Sequence, residues 1–89
     1  MSIKCKLGPV LSYYTNNQES VEVNGKTAGE CLDHLAKQFP SIKTVIFDED
    51  GKLNSFIAVF VNGRDSQVEH LLRPVKDGDE LGIVFLNGG

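Results

Sequence analysis

Thr27-Ala28-Gly29-Glu30-Cys31-Leu32-Asp33-His34-Leu35-Ala36-Lys37-Gln38-Phe39-Pro40 is the stretch on which the fold turns. Thr27 and Glu30 have the spacing of a capping box, in which each side chain satisfies a free backbone N–H at a helix start. Cys31, Leu32, Leu35, Ala36 and Phe39 then fall on one side of a 3.6-residue period. Lys37 suits the negative end of the helix dipole. Pro40 ends the run, because the residue before a proline avoids helical angles. This is the one convincing helix of the 89-residue chain.

The segments on either side read as short strands. Ile3 to Leu7 alternates apolar and polar residues, as a half-buried strand does. Gly8-Pro9 interrupts it, and a polar loop is expected through Thr15-Asn16-Asn17-Gln18. Ser20 to Val23 alternates again, and Asn24-Gly25 supplies a turn. Beyond the helix, residues 42–47 are apolar but too few to assign to helix or strand by period. Asp48-Glu49-Asp50-Gly51 is a loop tip. Residues 56–61 form a continuous apolar, β-branched and aromatic run, expected as a central strand. Asn62-Gly63 is a hairpin-type turn signal. Residues 67–73 have room for a short helical turn before Pro74. Asp77-Gly78 turns the chain into a last strand over residues 80–86. Two strands, one helix and further strands predict an α+β fold, with a mixed sheet, one main helix and a short helical turn. A ferredoxin-like fold requires a second full helix, which residues 67–73 are too few to supply.

Composition narrows the function. Eighty-nine residues make one small domain with a modest core. Hydrophobic residues at 40% and charged residues at 24% fit a folded, soluble chain. So short a chain reads as a partner or carrier rather than an enzyme with an elaborate pocket. The formal charge is −3 and no basic run occurs, which argues against nucleic-acid binding. No apolar run approaches the roughly 20 residues of a membrane span. The N-terminus lacks the order of a signal peptide, so the expected location is the cytoplasm. Cys5 alternates with Ile3 and Leu7, and Cys31 adjoins Leu32, so both read as small core residues. His34, beside Asp33 and Lys37, reads as part of a solvated face, and His70 as part of a turn. Neither has a partner at metal-ligand spacing, so no metal is expected. The acidic tip is no EF-hand, since Leu53 stands where the sixth-position glycine belongs. Tyr13 and Tyr14 fall in the first loop and receive no role.

The sequence ends Asn87-Gly88-Gly89. A glycine pair is the slimmest backbone a chain offers, and it buries no side chain. It suits a carboxylate that must enter another protein's narrow active site. The helix opening at Thr27, the segment Phe47-Asp48-Glu49-Asp50-Gly51-Lys52-Leu53, the run Val59-Phe60-Val61-Asn62-Gly63, the turn Asp77-Gly78-Asp79-Glu80 and Gly88-Gly89 together resemble the ubiquitin-like β-grasp sulfur carriers. These include the molybdopterin synthase small subunit, the thiamine sulfur carrier, and the carriers for cysteine or homocysteine synthesis. The resemblance covers nearly the whole chain. It implies a β-grasp domain over residues 1–85 and a flexible Gly-Gly tail over residues 86–89. The first two strands would pair as a hairpin, with the last strand parallel to the first. The long loop at Phe47 to Leu53 is closer to the molybdopterin and amino-acid-synthesis carriers. Phe85-Leu86-Asn87 departs from the proline-containing stretch many of those carry, and is one residue shorter.

The resemblance also implies the chemistry. A separate activating enzyme, using ATP and Mg²⁺, would adenylate the Gly89 carboxylate. Sulfur from a donor would then convert it to a thiocarboxylate, which a sulfur-accepting synthase would consume. The chain itself would be no enzyme and bind no cofactor. Strand alternation adds a docking face. If Leu81, Ile83 and Phe85 point inward, Val84 and Leu86 point outward. If Ile57, Val59 and Val61 point inward, so Phe60 points outward, giving an apolar patch of Phe60, Val84 and Leu86 beside the tail. Two other readings stay open: a protein modifier conjugated to lysines through the same tail, and a passive β-grasp interaction module. An iron–sulfur β-grasp protein needs four cysteines, and this chain has two.

Overall fold

Alternation at the N-terminus becomes a pair of strands. A computed structural model describes residues 2–65 and 72–85. β1 (Ile3–Leu7) runs antiparallel to β2 (Ser20–Val23), with Cys5 opposite Val21. β5 (Glu80–Phe85) lies parallel to β1 on its other side, with Cys5 opposite Leu81. β3 (Ile57–Val61) joins β5 antiparallel, with Val59 opposite Ile83. The two-residue β4 (Arg64–Asp65) closes the order β2-β1-β5-β3-β4. The β3–β4 turn holds Asn62 and Gly63 at φ of 53° and 79°. Those left-handed angles suit asparagine and glycine, and they match the twist of a two-residue hairpin. The sheet is therefore the mixed β-grasp sheet expected, including the parallel pairing of its first and last strands.

α2 (Ala28–Gln38) lies across one face of this sheet. Thr27 caps it: the backbone N–H of Glu30 donates to Thr27 Oγ1 at 3.2 Å. The reciprocal bond is displaced by one residue, since Glu30 Oε1 accepts from the backbone N–H of Lys26 at 2.9 Å. Beside this cap, Thr27 pairs in a bridge with Pro74. Ala28 N–H donates to the Arg73 carbonyl at 2.9 Å, and Val75 N–H donates to the Lys26 carbonyl at 2.9 Å. Cys31, Leu32 and Leu35 pack fully buried against Ile3, Cys5, Val23, Val59, Leu81 and Ile83. Each such aliphatic side chain contributes about 1.5–3 kcal/mol by leaving water.

One segment differs from its sequence reading, and one left open by the sequence is resolved. The expected loop after Gly8 is helical: α1 (Pro9–Ser12) leads into a 3-10 turn over Tyr13–Thr15. Pro9 is preset for a first helical position. Leu11 and Thr15 are fully buried. Thr15 tolerates this because its hydroxyl lies 2.7 Å from the Gln18 carbonyl and 3.1 Å from that of Ser12. Residues 42–47, left open between helix and strand, are mostly helical. A 3-10 turn at Pro40–Ile42 runs into α3 (Lys43–Ile46). Ile42 and Ile46, one helical turn apart, are both fully buried. The helical turn expected at 67–73 lies largely outside the described residues.

Candidate functional site

β5 occupies the middle of the sheet, and its last residue, Phe85, leads toward the glycines. Leu81 and Ile83 point into the core and are fully buried. Gly82 and Val84 lie on the opposite face and are half-buried. Phe60 shares that outer face, directly opposite Gly82, while Ala58 stands opposite Val84. The expected register therefore holds for Phe60 and Val84. Leu86, Asn87, Gly88 and Gly89 lie outside the described residues.

The outer face changes character along β5. At the start of the strand, Glu80 stands beside Lys4, and Lys4 beside Glu22. Lys6 Nζ approaches Glu80 Oε1 at 3.4 Å, an exposed pair of small energetic worth. Further along, Gly82, Phe60, Val84 and Ala58 form an apolar floor. A Cβ on Gly82 would stand 3.8 Å from Phe60 Cβ, so the floor is low where that side chain is absent. The apolar half is the half nearest the exit of the chain from β5. Phe56, half exposed at the entry to β3, stacks on Phe85 with ring centroids 5.5 Å apart and planes 3° from parallel. The sequence reading missed this contact.

The turn before β5 is tied to the turn after β3. Asn62 N–H donates to the Glu80 carbonyl at 2.8 Å, and Glu80 N–H returns a bond to Asn62 Oδ1 at 2.9 Å. Asp79 accepts from the Lys76 backbone N–H at 2.9 Å and from Asn62 Nδ2 at 3.2 Å. These donors, the Lys76 amide above all, hold the Asp79 carboxyl below the usual carboxylate range. Two of the segments that carry the family resemblance thus lock to one another and fix the start of β5.

The remaining polar candidates serve structure. Burial, reinforced by Cys31, pushes the Cys5 thiol up to about 12. Burial, reinforced by Glu30, pushes the Cys31 thiol up to about 11. Both stay protonated near neutral pH and are poor nucleophiles. His34 is half-buried rather than freely solvated, and its Nδ1 accepts from the Asn24 N–H at 2.9 Å. Gln38, one turn on, donates to the Glu22 carbonyl at 3.0 Å. Together they pair backbone groups along the outer edge of β2, which would otherwise invite another strand. The i,i+4 spacing of His34 and Gln38 was the available signal. Asp48 Oδ1 accepts from the backbone N–H groups of Asp50 and Lys52, at 2.8 and 3.0 Å. Its carboxylate thus closes its own turn. Among the described residues, no three His, Cys, Asp or Glu side chains gather as metal ligands. None of the described helices is long and apolar enough to cross a membrane.

The profile of the ThiS family matches residues 10–89. The chain belongs to the ThiS family. A protein of Archaeoglobus fulgidus described as a candidate sulfur carrier is 32% identical over 87 residues, spanning 94% of this chain and 93% of that one. Among solved structures, a chain of the BexX/CysO complex of Amycolatopsis orientalis is 33% identical. It covers 98% of both chains with a TM-score of 0.88. SAMP1 of Haloferax volcanii, a small archaeal modifier protein, is 29% identical and covers 100% of both chains with a TM-score of 0.87. These neighbours make the fold ubiquitin-like. Sulfur carriers and ubiquitin-like modifiers populate this family, and its members are carriers rather than catalysts.

Proposed function

We propose that this ThiS-family chain carries sulfur on its C-terminal glycine. A carboxylate is a poor electrophile, being anionic and lacking a good leaving group. A carboxylate oxygen of Gly89 attacks the α-phosphorus of ATP in a separate activating enzyme, and pyrophosphate leaves. Mg²⁺ belongs to that enzyme's site. A sulfur nucleophile from a donor then attacks the Gly89 carbonyl carbon, and AMP leaves with the bonding pair. Release of the sulfur from its donor yields a thiocarboxylate, which a sulfur-accepting synthase consumes in biosynthesis, of the cysteine or homocysteine or the molybdopterin type. Gly88 and Gly89 keep the path to the carbonyl free of side chains, and Asn87 links them to the body. Phe60, Val84 and Leu86 form the docking patch for the activating enzyme. The setting is the cytoplasm.

The observation that supports this most is the family match over residues 10–89, which takes in both glycines. The 33% identity to a chain of the BexX/CysO complex supports a protein partner for the carrier. The likeness to SAMP1 favours a second reading, in which the activated tail is transferred to lysines of other proteins. One experiment separates them. The chain is incubated with a cognate activating enzyme, ATP, Mg²⁺ and a sulfide source, and its intact mass is taken. Exchange of one oxygen for sulfur at the terminus is expected for the carrier, while branched conjugates on lysines indicate the modifier. Deleting Gly89 should abolish either product and leave the fold intact. A deleted chain that still reacts refutes both.

A further inference from the structure

Gly82 stands in the middle of β5, and nothing among the described residues requires a glycine there. The strand is paired on both sides at this point, to Lys6 of β1 and to Phe60 of β3. Both registers run through without a bulge. Gly51, Gly63 and Gly78 take positive φ, which few side chains tolerate, but Gly82 does not. Gly25 abuts the backbone of Cys31, whereas a Cβ on Gly82 would meet only Phe60 Cβ within 4 Å among the described residues. That contact, at 3.8 Å, is an ordinary one. A glycine inside a strand weakens it, through backbone entropy and missing packing. Where there is neither bulge nor bend, such a glycine marks a close approach by another molecule.

The absent side chain leaves a notch in the outer face of the sheet. Phe60 walls it on the β3 side and Lys6 on the β1 side. Glu80 and Val84, two residues away in either direction along β5, stand at its ends. Lys6 Nζ is drawn back to Glu80 Oε1 at 3.4 Å, so the two charges at that end balance each other. The other end is apolar, with Val84 beside Ala58. An aromatic ring, an aliphatic side chain and a lysine stem, with no unbalanced charge, fit an apolar group rather than an ion.

We propose that Gly82 is a specificity-determining residue, over which an apolar side chain of the activating enzyme seats between Phe60 and Val84. This rests on the proposed carrier reading, whose docking residues Phe60 and Val84 flank the notch. A side chain added at position 82 fills the seat before the partner arrives. It strengthens the strand and weakens the encounter, so the two effects have opposite signs. A glycine kept for the fold's own packing behaves otherwise, since its replacement destabilises the chain.

The test measures urea unfolding and ATP-dependent pyrophosphate release by a cognate activating enzyme, for the wild type, Gly82→Ala and Gly82→Val. Both variants should unfold at a urea midpoint equal to or above that of wild type. Gly82→Val should raise KM about ten-fold or more, with kcat within about two-fold of wild type. Gly82→Ala adds one methyl group and should raise KM less; it also carries the test if Gly82→Val fails to fold. The ratio of the variant KM to the wild-type KM should be the same at low and high salt. A lower urea midpoint in Gly82→Ala overturns the proposal, because the glycine would then serve the fold itself. Unchanged KM in both variants, or a loss confined to kcat, overturns it and leaves the carrier reading standing. A ratio that collapses as salt rises also overturns it, because the occupant would be charged. A wild-type chain that sediments as a dimer where Gly82→Val is a monomer assigns the notch to a second copy and overturns it too. A wild-type chain that releases no pyrophosphate overturns the carrier reading, and the seat with it.

Discussion

Gly25 shows how one missing side chain holds the domain together. Its backbone angles need no glycine, unlike those of Gly63. The requirement is steric. A Cβ at this position would stand 2.7 Å from the Cys31 backbone nitrogen, 2.9 Å from Cys31 Sγ and 2.9 Å from Glu30 Cβ. Those atoms belong to the first turn of α2, whose cap and core contacts are already fixed by Thr27 and Cys31. Gly25→Ala must therefore push the helix start outward. It is expected to cost about 1–3 kcal/mol, the range of overpacked sites. Urea unfolding checks this through a lower midpoint at an unchanged slope. In the sequence, Asn24-Gly25 looked like any turn signal. The role of Gly25 in packing was not legible, because it depends on a helix that begins three residues later and folds back over it.

At the scale of elements, the turn from Lys76 to Asp79 couples two strands through one carboxylate. The folded pKa of Asp79 is held below its unfolded value by the Lys76 amide and by Asn62. The stability it contributes is thus fully present above the ordinary aspartate value of about 3.9. It is lost as pH falls through the lowered folded value. The gap in stability between the wild type and Asp79→Ala should be constant near neutral pH and shrink progressively below about pH 4. Thermal unfolding at stepped pH measures it, and a gap independent of pH would refute the assignment. Elements with a strong local signature were legible: the capped helix at Thr27, the alternating strands, the Asn62-Gly63 turn. α1 and α3 were not. Each spans four residues, too few for a period to emerge, and each is held by one or two buried anchors, Leu11 in one and Ile46 in the other. The parallel pairing of β1 with β5 came only with the family resemblance, since nothing local encodes which distant strands meet.

For the whole molecule, the sheet divides its labour between two faces. The inner face is closed by α2, and the outer face carries a charged half and an apolar half. Alternation alone sufficed to read Phe60 and Val84 outward, because a strand's side-chain period is two and the buried set was clear. The Phe56–Phe85 stack escaped that logic, since its partners lie 29 positions apart in the sequence and meet only through the β3–β5 pairing. On the proposed carrier reading, Phe60 and Val84 are docking residues, and their loss should act on partner binding. Phe60→Ser with Val84→Ser removes apolar surface from the outer face without touching the inner one. The pair is expected to cost about 1 kcal/mol of stability. It should raise KM for the activating enzyme ten-fold or more, because apolar anchors near the centre of an interface carry most of its energy. Turnover at saturation should stay near wild type, since Gly88 and Gly89 are unchanged. Glu22→Gln, on the charged half at the far edge, should leave both parameters close to wild type. Steady-state kinetics on the three chains decide the matter. A double variant with unaltered KM would move the docking face away from the sheet, and one with reduced turnover alone would refute a docking role for the two residues.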